Sequence, residues 1–143
     1  MTMSWLELGH FWYKPVITVF VRNSRYSHEL IARDRFFTVA CPTDNSMDKQ
    51  LEVCGCKSGR DMNKIEALGL KILPSRAGGV GSIDGPLIHF ECRVLGETEI
   101  PSNFDFVASN IRERFYTKDK YVELGDKTDH TAYFGEVLTA YRT

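Results

Sequence analysis

PVITVFVRNSRYSHE, residues 15 to 29, holds the reading on which the rest of the chain depends. Its first half, Pro15 to Arg22, is dense in β-branched residues and admits proline only at its entrance, the pattern of a strand covered on both faces. Asn23 and Ser24 interrupt it. Arg25 to Arg33 then reads as a short helix with Tyr26, Leu30 and Ile31 on one face and Ser24 placed to cap it. A buried strand running directly into a helix start is the motif around which the remaining segments arrange themselves.

Downstream, Phe36 to Cys41 is a second compact strand closed by the turn-forming residues 42 to 46, and Met47 to Cys54 carries helical spacing through Met47, Leu51 and Cys54. Asp61 is a candidate cap for a further short helix with Met62, Ile65 and Leu68 on one face, stopped by Gly69. Leu70 to Leu73 reads as a short strand. Ser75 to Gly85 holds four glycines in eleven residues and reads as an exposed turn. Between Leu87 and Leu95, Ile88, Phe90, Cys92 and Val94 alternate with His89, Glu91 and Arg93, predicting a strand with the apolar set buried and the polar set partly wet. Residues 101 to 127 are the least regular, with a short helix expected over Ser109 to Phe115 and then a polar loop. His130 to Arg142 reads as the closing strand. Strands separated by single short helices favour an α+β fold, mostly β, on an antiparallel sheet or barrel.

The 143 residues suffice for one core and one domain. Eighteen Lys and Arg against nineteen Asp and Glu give a net charge of −1, which argues against nucleic acid or an anionic membrane as a partner. The apolar run from Val16 to Val21 is far short of the ~20 residues a bilayer requires, and the N-terminus has no signal-peptide pattern, so the expected location is the cytoplasm. The cysteines at 41, 54, 56 and 92 are irregularly spaced, and Cys-Gly-Cys at 54 to 56 is neither a CxxC redox pair nor a zinc knuckle, so reduced thiols are expected.

Two segments can hold an anion. In VRNSRYSHE, residues 21 to 29, Arg22, Ser24, Arg25 and Ser27 stand at a strand-to-helix junction, where helix amides, hydroxyls and guanidinium groups together suit a phosphate. The alternative is that Ser24 merely caps and the arginines face water. In KSGRDMNK, residues 57 to 64, Lys57, Arg60 and Lys64 against Asp61 leave a local charge of +2; the glycine spacing is not that of a phosphate loop of nucleotide hydrolases, and a solvated loop is the alternative. With Trp5, Phe11, Trp12 and Tyr13 nearby in sequence, the pair suggests a ligand with an anionic end and a flat ring, such as a mononucleotide or FMN, although each aromatic alone is expected in the core. His89 and Glu91 share a strand face without a third ligand, so no metal site is expected, and no nucleophile with its base stands out as a catalytic set.

These pieces resemble the flavin reductase-like family with the FMN-binding split barrel, particularly its flavoredoxin-like branch. MTMSWLELGHFWYKPVITVFVRNSRYSHEL resembles the family's first ligand-binding strands and Ser-Arg-x-Thr helix start, with Ser27 in place of the threonine. CGCKSGRDMNK resembles Cys-Gly-x-x-Ser-Gly-Arg-Asp-x-x-Lys, and DHTAYFGEVLTAY the closing His-x-x-Tyr-x-Gly-Glu-Val strand. The resemblance implies an antiparallel split β-barrel with short flanking helices, a homodimer with non-covalent FMN at the subunit interface, and electron transfer between NAD(P)H and flavin or a downstream acceptor, with a redox partner protein as a candidate further partner. It implies that Thr2, Ser4 and Trp5 line the flavin ring, that Ser24, Arg25 and Ser27, with Arg22, serve the phosphate end, that Ser58, Gly59, Arg60 and Lys64 add polar contacts, and that His130 approaches the ring. FMN would carry the hydride chemistry, so no catalytic residue is assigned. A non-enzymatic FMN-binding electron carrier, or a domain with weak or no flavin binding, is the alternative. Relative to the family, the sequence reads as one N-terminally truncated domain over residues 1 to 143, lacking a preceding helix, strand and asparagine, and the strand around Met3 to Glu7 is expected to pair with the partner subunit.

Overall fold

The computed structural model describes residues 1–100, 110 and 129–143. The strands β1 (Leu6–Phe11), β2 (Lys14–Arg22), β3 (Phe36–Pro42), β6 (Leu87–Ile100) and β7 (His130–Arg142) form one antiparallel sheet in the order β1-β2-β7-β6-β3. A small hairpin of β4 (Ile72–Leu73) and β5 (Ser82–Ile83) forms a second sheet, and the helices α1 (Tyr26–Asp34), α2 (Asp48–Cys56) and α3 (Lys64–Ala67) lie between strands. A 3-10 turn at Asn45–Met47 leads into α2. Of the expected helix over Ser109 to Phe115 only Asn110 is described, and it is helical; the polar loop lies outside the described residues.

β2 is covered on both faces, as its composition predicts. Ile17, Val19 and Val21 enter the core with Ile31 of α1, Phe37 and Val39 of β3, Cys92 and Val94 of β6, and Tyr133 of β7, while Val16 and Thr18 are buried on the opposite face. Close approach of the sheet is possible because residue 135 is glycine: a Cβ there would stand 2.4 Å from Cζ of Phe37. That packing couples β3 to β7 across the core, although the two are not neighbours in the sheet.

Three local readings are corrected. Arg25, not Ser24, occupies the N-cap position of α1, with no side-chain cap, because the turn from Arg22 is closed by a backbone bond from Arg25 N to Arg22 O at 2.9 Å. Asn63, not Asp61, caps α3, its side chain accepting from Glu66 N at 3.4 Å. The first strand pairs with β2 of the same chain in a hairpin whose two-residue turn is Trp12-Tyr13, and the N-terminal aromatics are not core: Trp12 and Tyr13 are 69% and 97% exposed.

The polar face that His89, Glu91 and Arg93 form on β6 is wet only at Arg93. His89 and Glu91 are buried while Ile88 is half exposed, because residues 75 to 83, expected as an exposed turn, fold over that face. Glu91 accepts from Ser75 Oγ at 2.6 Å, Ala77 N at 2.9 Å, Arg76 N at 3.0 Å and Tyr141 Oη at 3.2 Å. Burial alone would raise its pKa, but these donors hold the carboxyl below its ordinary value. His89 stacks on Tyr141 with centroids 4.6 Å apart and is bonded at both ring nitrogens, to Ser82 and Thr143. The Arg76 guanidinium covers the outer face of Tyr141 at 3.6 Å. The cluster pins the loop to the sheet.

Candidate functional site

The strand-to-helix junction after β2 and the loop between α2 and α3 meet at one open cavity of about 930 Å³. Of the twelve residues that the resemblance marks as contacts, seven line it: Ser24, Arg25 and Ser27 from the junction, and Ser58, Gly59, Arg60 and Lys64 from the loop. The two segments expected separately from the sequence as anion cradles therefore share one space. Tyr26, Leu30, Met62 and Ile65 add apolar wall, and Lys57 adds a further cation.

Each wall has a local reason for its position. The N-terminus of α1 carries no side-chain cap, and its first residues line the cavity together with Ser24. Across the cavity, Ser58 Oγ accepts from Arg60 N at 3.1 Å and shapes the turn. Gly59 allows close approach, since a Cβ there would lie 3.0 Å from Cδ1 of Tyr26. Lys64 Nζ donates to the Cys54 carbonyl at 3.1 Å, which holds the ammonium against the end of α2.

Arg60 has a different place from the other cations. Its Nη1 donates to the Ser24 carbonyl at 3.2 Å, its Nη2 pairs with Glu29, and its guanidinium lies 5.2 Å from the Tyr26 ring centroid. These contacts tie loop to junction, so Arg60 is a strut between the walls and Arg25 is the guanidinium better suited to a ligand.

The remaining five residues fall outside the cavity lining. Thr2 is held against the last turns of α2: its hydroxyl donates to the Leu51 carbonyl and its N–H to the Cys54 carbonyl, the latter at 3.4 Å. Ser4 is exposed. Trp5 packs on His130 with ring centroids 5.0 Å apart, and Arg22 is paired with His130 in the β2–β7 register. His130 is 6% exposed, and its pKa is pushed down to about 4 by burial, reinforced by Arg22 and opposed by Asp129, with Arg25 adding to the lowering. The imidazole is thus neutral at physiological pH, and Arg25 acts electrostatically on both the cavity and the His130 cluster.

Sequence reading missed Cys54 and Cys56 as part of this site. Both line the cavity from the end of α2, while Cys92 is buried in the core. Their position immediately before Lys57 was the available signal. The donor set fits a phosphate-bearing flavin: uncapped helix amides, three serine hydroxyls and the cations Arg25, Lys57 and Lys64 converge in a cavity of the size that ligands of that class occupy. Among the described residues no cluster of three His, Cys, Asp or Glu side chains is placed to hold a metal, and no helix is long and apolar enough to cross a membrane.

An uncharacterized protein of Archaeoglobus fulgidus is 35% identical over 107 residues, which are 75% of this chain and 59% of the relative. Flavoredoxin from Methanosarcina acetivorans has a similar fold, with a TM-score of 0.69 at 22% identity over 99% of this chain and 59% of that one. The FMN-binding protein from Thermus thermophilus, crystallised with 1-cyclohex-2-enone, gives 0.68 at 18% identity over 98% of this chain and 60% of that one. The chain spans about three fifths of the length of these relatives. At such identities the structural likeness establishes the fold, the antiparallel split barrel with few short helices. A model of the flavin reductase like domain matches residues 1–142, and the chain belongs to that family.

Proposed function

We propose that this chain binds FMN non-covalently and passes electrons between NAD(P)H and the flavin or a downstream acceptor. The observation that carries the reading is the meeting of two cationic, hydroxyl-bearing segments, 24–27 and 58–64, on one cavity. Arg25 and Lys64 would neutralise the phosphate, Ser24, Ser27 and Ser58 would hydrogen-bond it, and the amide end of α1 would add its dipole. Bound FMN supplies the hydride and electron chemistry. The chain's own part is to orient the ring, through Thr2, Ser4, Trp5 and the neutral His130, and to set the charge around it.

A homodimer completes the reading. The cavity is open, and although Met1 reaches it, Thr2, Ser4 and Trp5, which the family resemblance assigns to the ring, fall outside its lining, so a second subunit would finish the flavin site at the interface. A cytoplasmic location belongs to the same proposal and suits the four unpaired thiols.

The visible spectrum of the purified protein, before and after addition of FMN, tests the cofactor. Bound flavin is expected as a perturbed absorption band that co-elutes with the protein, and failure to retain FMN at micromolar concentration would overturn the reading. Oxidation of NADH or NADPH by the loaded protein separates a reductase from an electron carrier, and light scattering tests the dimer.

A further inference from the structure

The last turn of α2 supports the residues on which the flavin reading depends. Its Cys54 carbonyl accepts from both Lys64 Nζ and Thr2 N, and one turn earlier Leu51 O accepts from the Thr2 hydroxyl. The same turn carries two thiols on either side of Gly55, and both line the cavity.

This turn is also easy to open. None of the residues of α2 is buried, its final turn contains a glycine, and Lys57 beyond it is already extended at φ −101° and ψ 149°. A glycine inside a helix weakens it by about 1 kcal/mol relative to alanine, and segments with few buried contacts open at the low end of a protein's stability range. In a regular helix the Cα atoms of residues two apart lie about 5.4 Å from one another, inside the range of a disulfide, but their side chains diverge by roughly 200°. Bridging Cys54 to Cys56 therefore requires the last turn to unwind, and unwinding moves the Cys54 carbonyl away from Lys64 and Thr2.

We infer that Cys54 and Cys56 are an oxidant-sensitive dithiol whose closure to a disulfide releases Thr2 and Lys64 and weakens the flavin site. The site effect rests on the FMN reading above; the disulfide itself does not. Hydrogen peroxide is the oxidant class in question. One cysteine sulfur attacks a peroxide oxygen, the O–O bond breaks, and sulfenic acid and water form. The second thiol then attacks the sulfenic sulfur, the S–S bond forms and a second water leaves, so the two thiols lose two electrons and two protons in total. The other cysteines are shielded from this chemistry. Cys92 is 1% exposed with its thiol pushed up to about 12 by burial, and burial also raises the half-shielded Cys41.

The test uses the full chain as purified, with and without FMN, treated with hydrogen peroxide and digested with trypsin under conditions that preserve disulfides. Cys54 and Cys56 fall in one tryptic peptide, Gln50 to Lys57, which is expected two hydrogens lighter after oxidation and restored by dithiothreitol. FMN affinity is expected to fall by about tenfold on oxidation, the scale of an ordinary coupling between two sites, and to recover on reduction. C54S and C56S, each compared with itself before and after peroxide, should lose both the mass change and the affinity change. Oxygen added to one cysteine without loss of hydrogens, or free alkylation of both thiols after peroxide, would overturn the dithiol. A disulfide that leaves FMN affinity unchanged would overturn its control of the site. If the reduced protein binds no FMN, the peptide mass still decides the disulfide and the FMN reading alone falls.

Discussion

Arg60 donates from Nη1 to the backbone carbonyl of Ser24 at 3.2 Å, joining the loop after α2 to the strand-to-helix junction thirty-six residues earlier. With Glu29 and Tyr26 completing its surroundings, the guanidinium is committed to protein partners and holds the two cavity walls at their spacing. Arg60→Ala should therefore lower affinity for FMN and riboflavin by the same factor, roughly fivefold for about 1 kcal/mol of lost positioning. Its ion pair with Glu29 is exposed, so the thermal midpoint should move little. Titration of both flavins checks this, and a loss confined to FMN would make Arg60 a phosphate ligand.

Arg25 should behave in the opposite way. It lines the cavity at the uncapped start of α1, so Arg25→Ala is expected to weaken FMN by about 1.5 to 3 kcal/mol, the range for a hydrogen bond to a charged group, and to leave riboflavin nearly unchanged. Fluorescence titration with the two ligands gives the ratio. Equal losses would assign Arg25 a structural role.

The Glu91 cluster should dominate local stability around residues 75 to 83. Glu91→Ala strands the Ser75, Arg76, Ala77 and Tyr141 donors at once and is expected to destabilise the fold by about 3 kcal/mol, whereas Tyr141→Phe, which removes one donor and keeps the stack on His89, should lose about 1 kcal/mol. Urea unfolding distinguishes them. Equal effects would mean that the bonds from Ser75, Arg76 and Ala77 add nothing beyond the one from Tyr141.

That cluster also shows where a sequence pattern stops being informative. The alternation over residues 87 to 95 is sufficient to identify a strand, and PVITVFVR to identify one buried on both faces, because period and composition are local properties. Burial of Glu91 is not local: it depends on backbone N–H groups at Arg76 and Ala77, which no pattern within β6 encodes. The helix start shows the same division. Residue type alone makes Ser24, Arg25 and Ser27 candidates for holding an anion, yet which residue takes the cap position is decided by the turn closed between Arg22 and Arg25. The first hairpin was hidden for another reason, since Trp12-Tyr13 lacks the glycine or asparagine by which such a turn is recognised.

Acid should destabilise the protein well above the range of ordinary carboxylates. His130 titrates at about 4 in the folded chain against 6.5 unfolded, so between these values the unfolded chain binds more protons and stability falls as the pH falls. The loss begins near pH 6.5, is complete near pH 4, and amounts to about 3 kcal/mol for His130 alone, with the lowered His89 acting in the same sense. Glu91, held low, adds its own loss at more acid pH as its carboxylate protonates. Denaturation curves from pH 7 to pH 4 should show this slope, and His130→Gln should flatten it. An unchanged slope in that variant would mean that His130 is not buried as described.

The last expectation concerns the turn that joins β1 to β2. Trp12 and Tyr13 have φ of 50° and 59°, the left-handed region, in which a residue with a side chain is disfavoured by roughly 1–2 kcal/mol. Asn-Gly is the pair that a two-residue turn with both φ positive prefers, so Trp12→Asn with Tyr13→Gly should stabilise an isolated subunit by about 1 kcal/mol or more. The aromatic pair occupies the strained turn even though both rings are largely exposed, and β1 beside it is exposed along its whole length, with Leu6, Leu8 and Phe11 among the exposed residues. If that hairpin is a contact surface of the proposed homodimer, the double substitution should raise the thermal midpoint at low protein concentration while shifting light scattering toward the monomer. Stabilisation with the scattering mass unchanged would place the dimer contact elsewhere. Destabilisation of the isolated subunit would show that the stacked pair Phe11 and Trp12, whose ring centroids lie 4.3 Å apart, contributes more to the hairpin than its backbone strain removes.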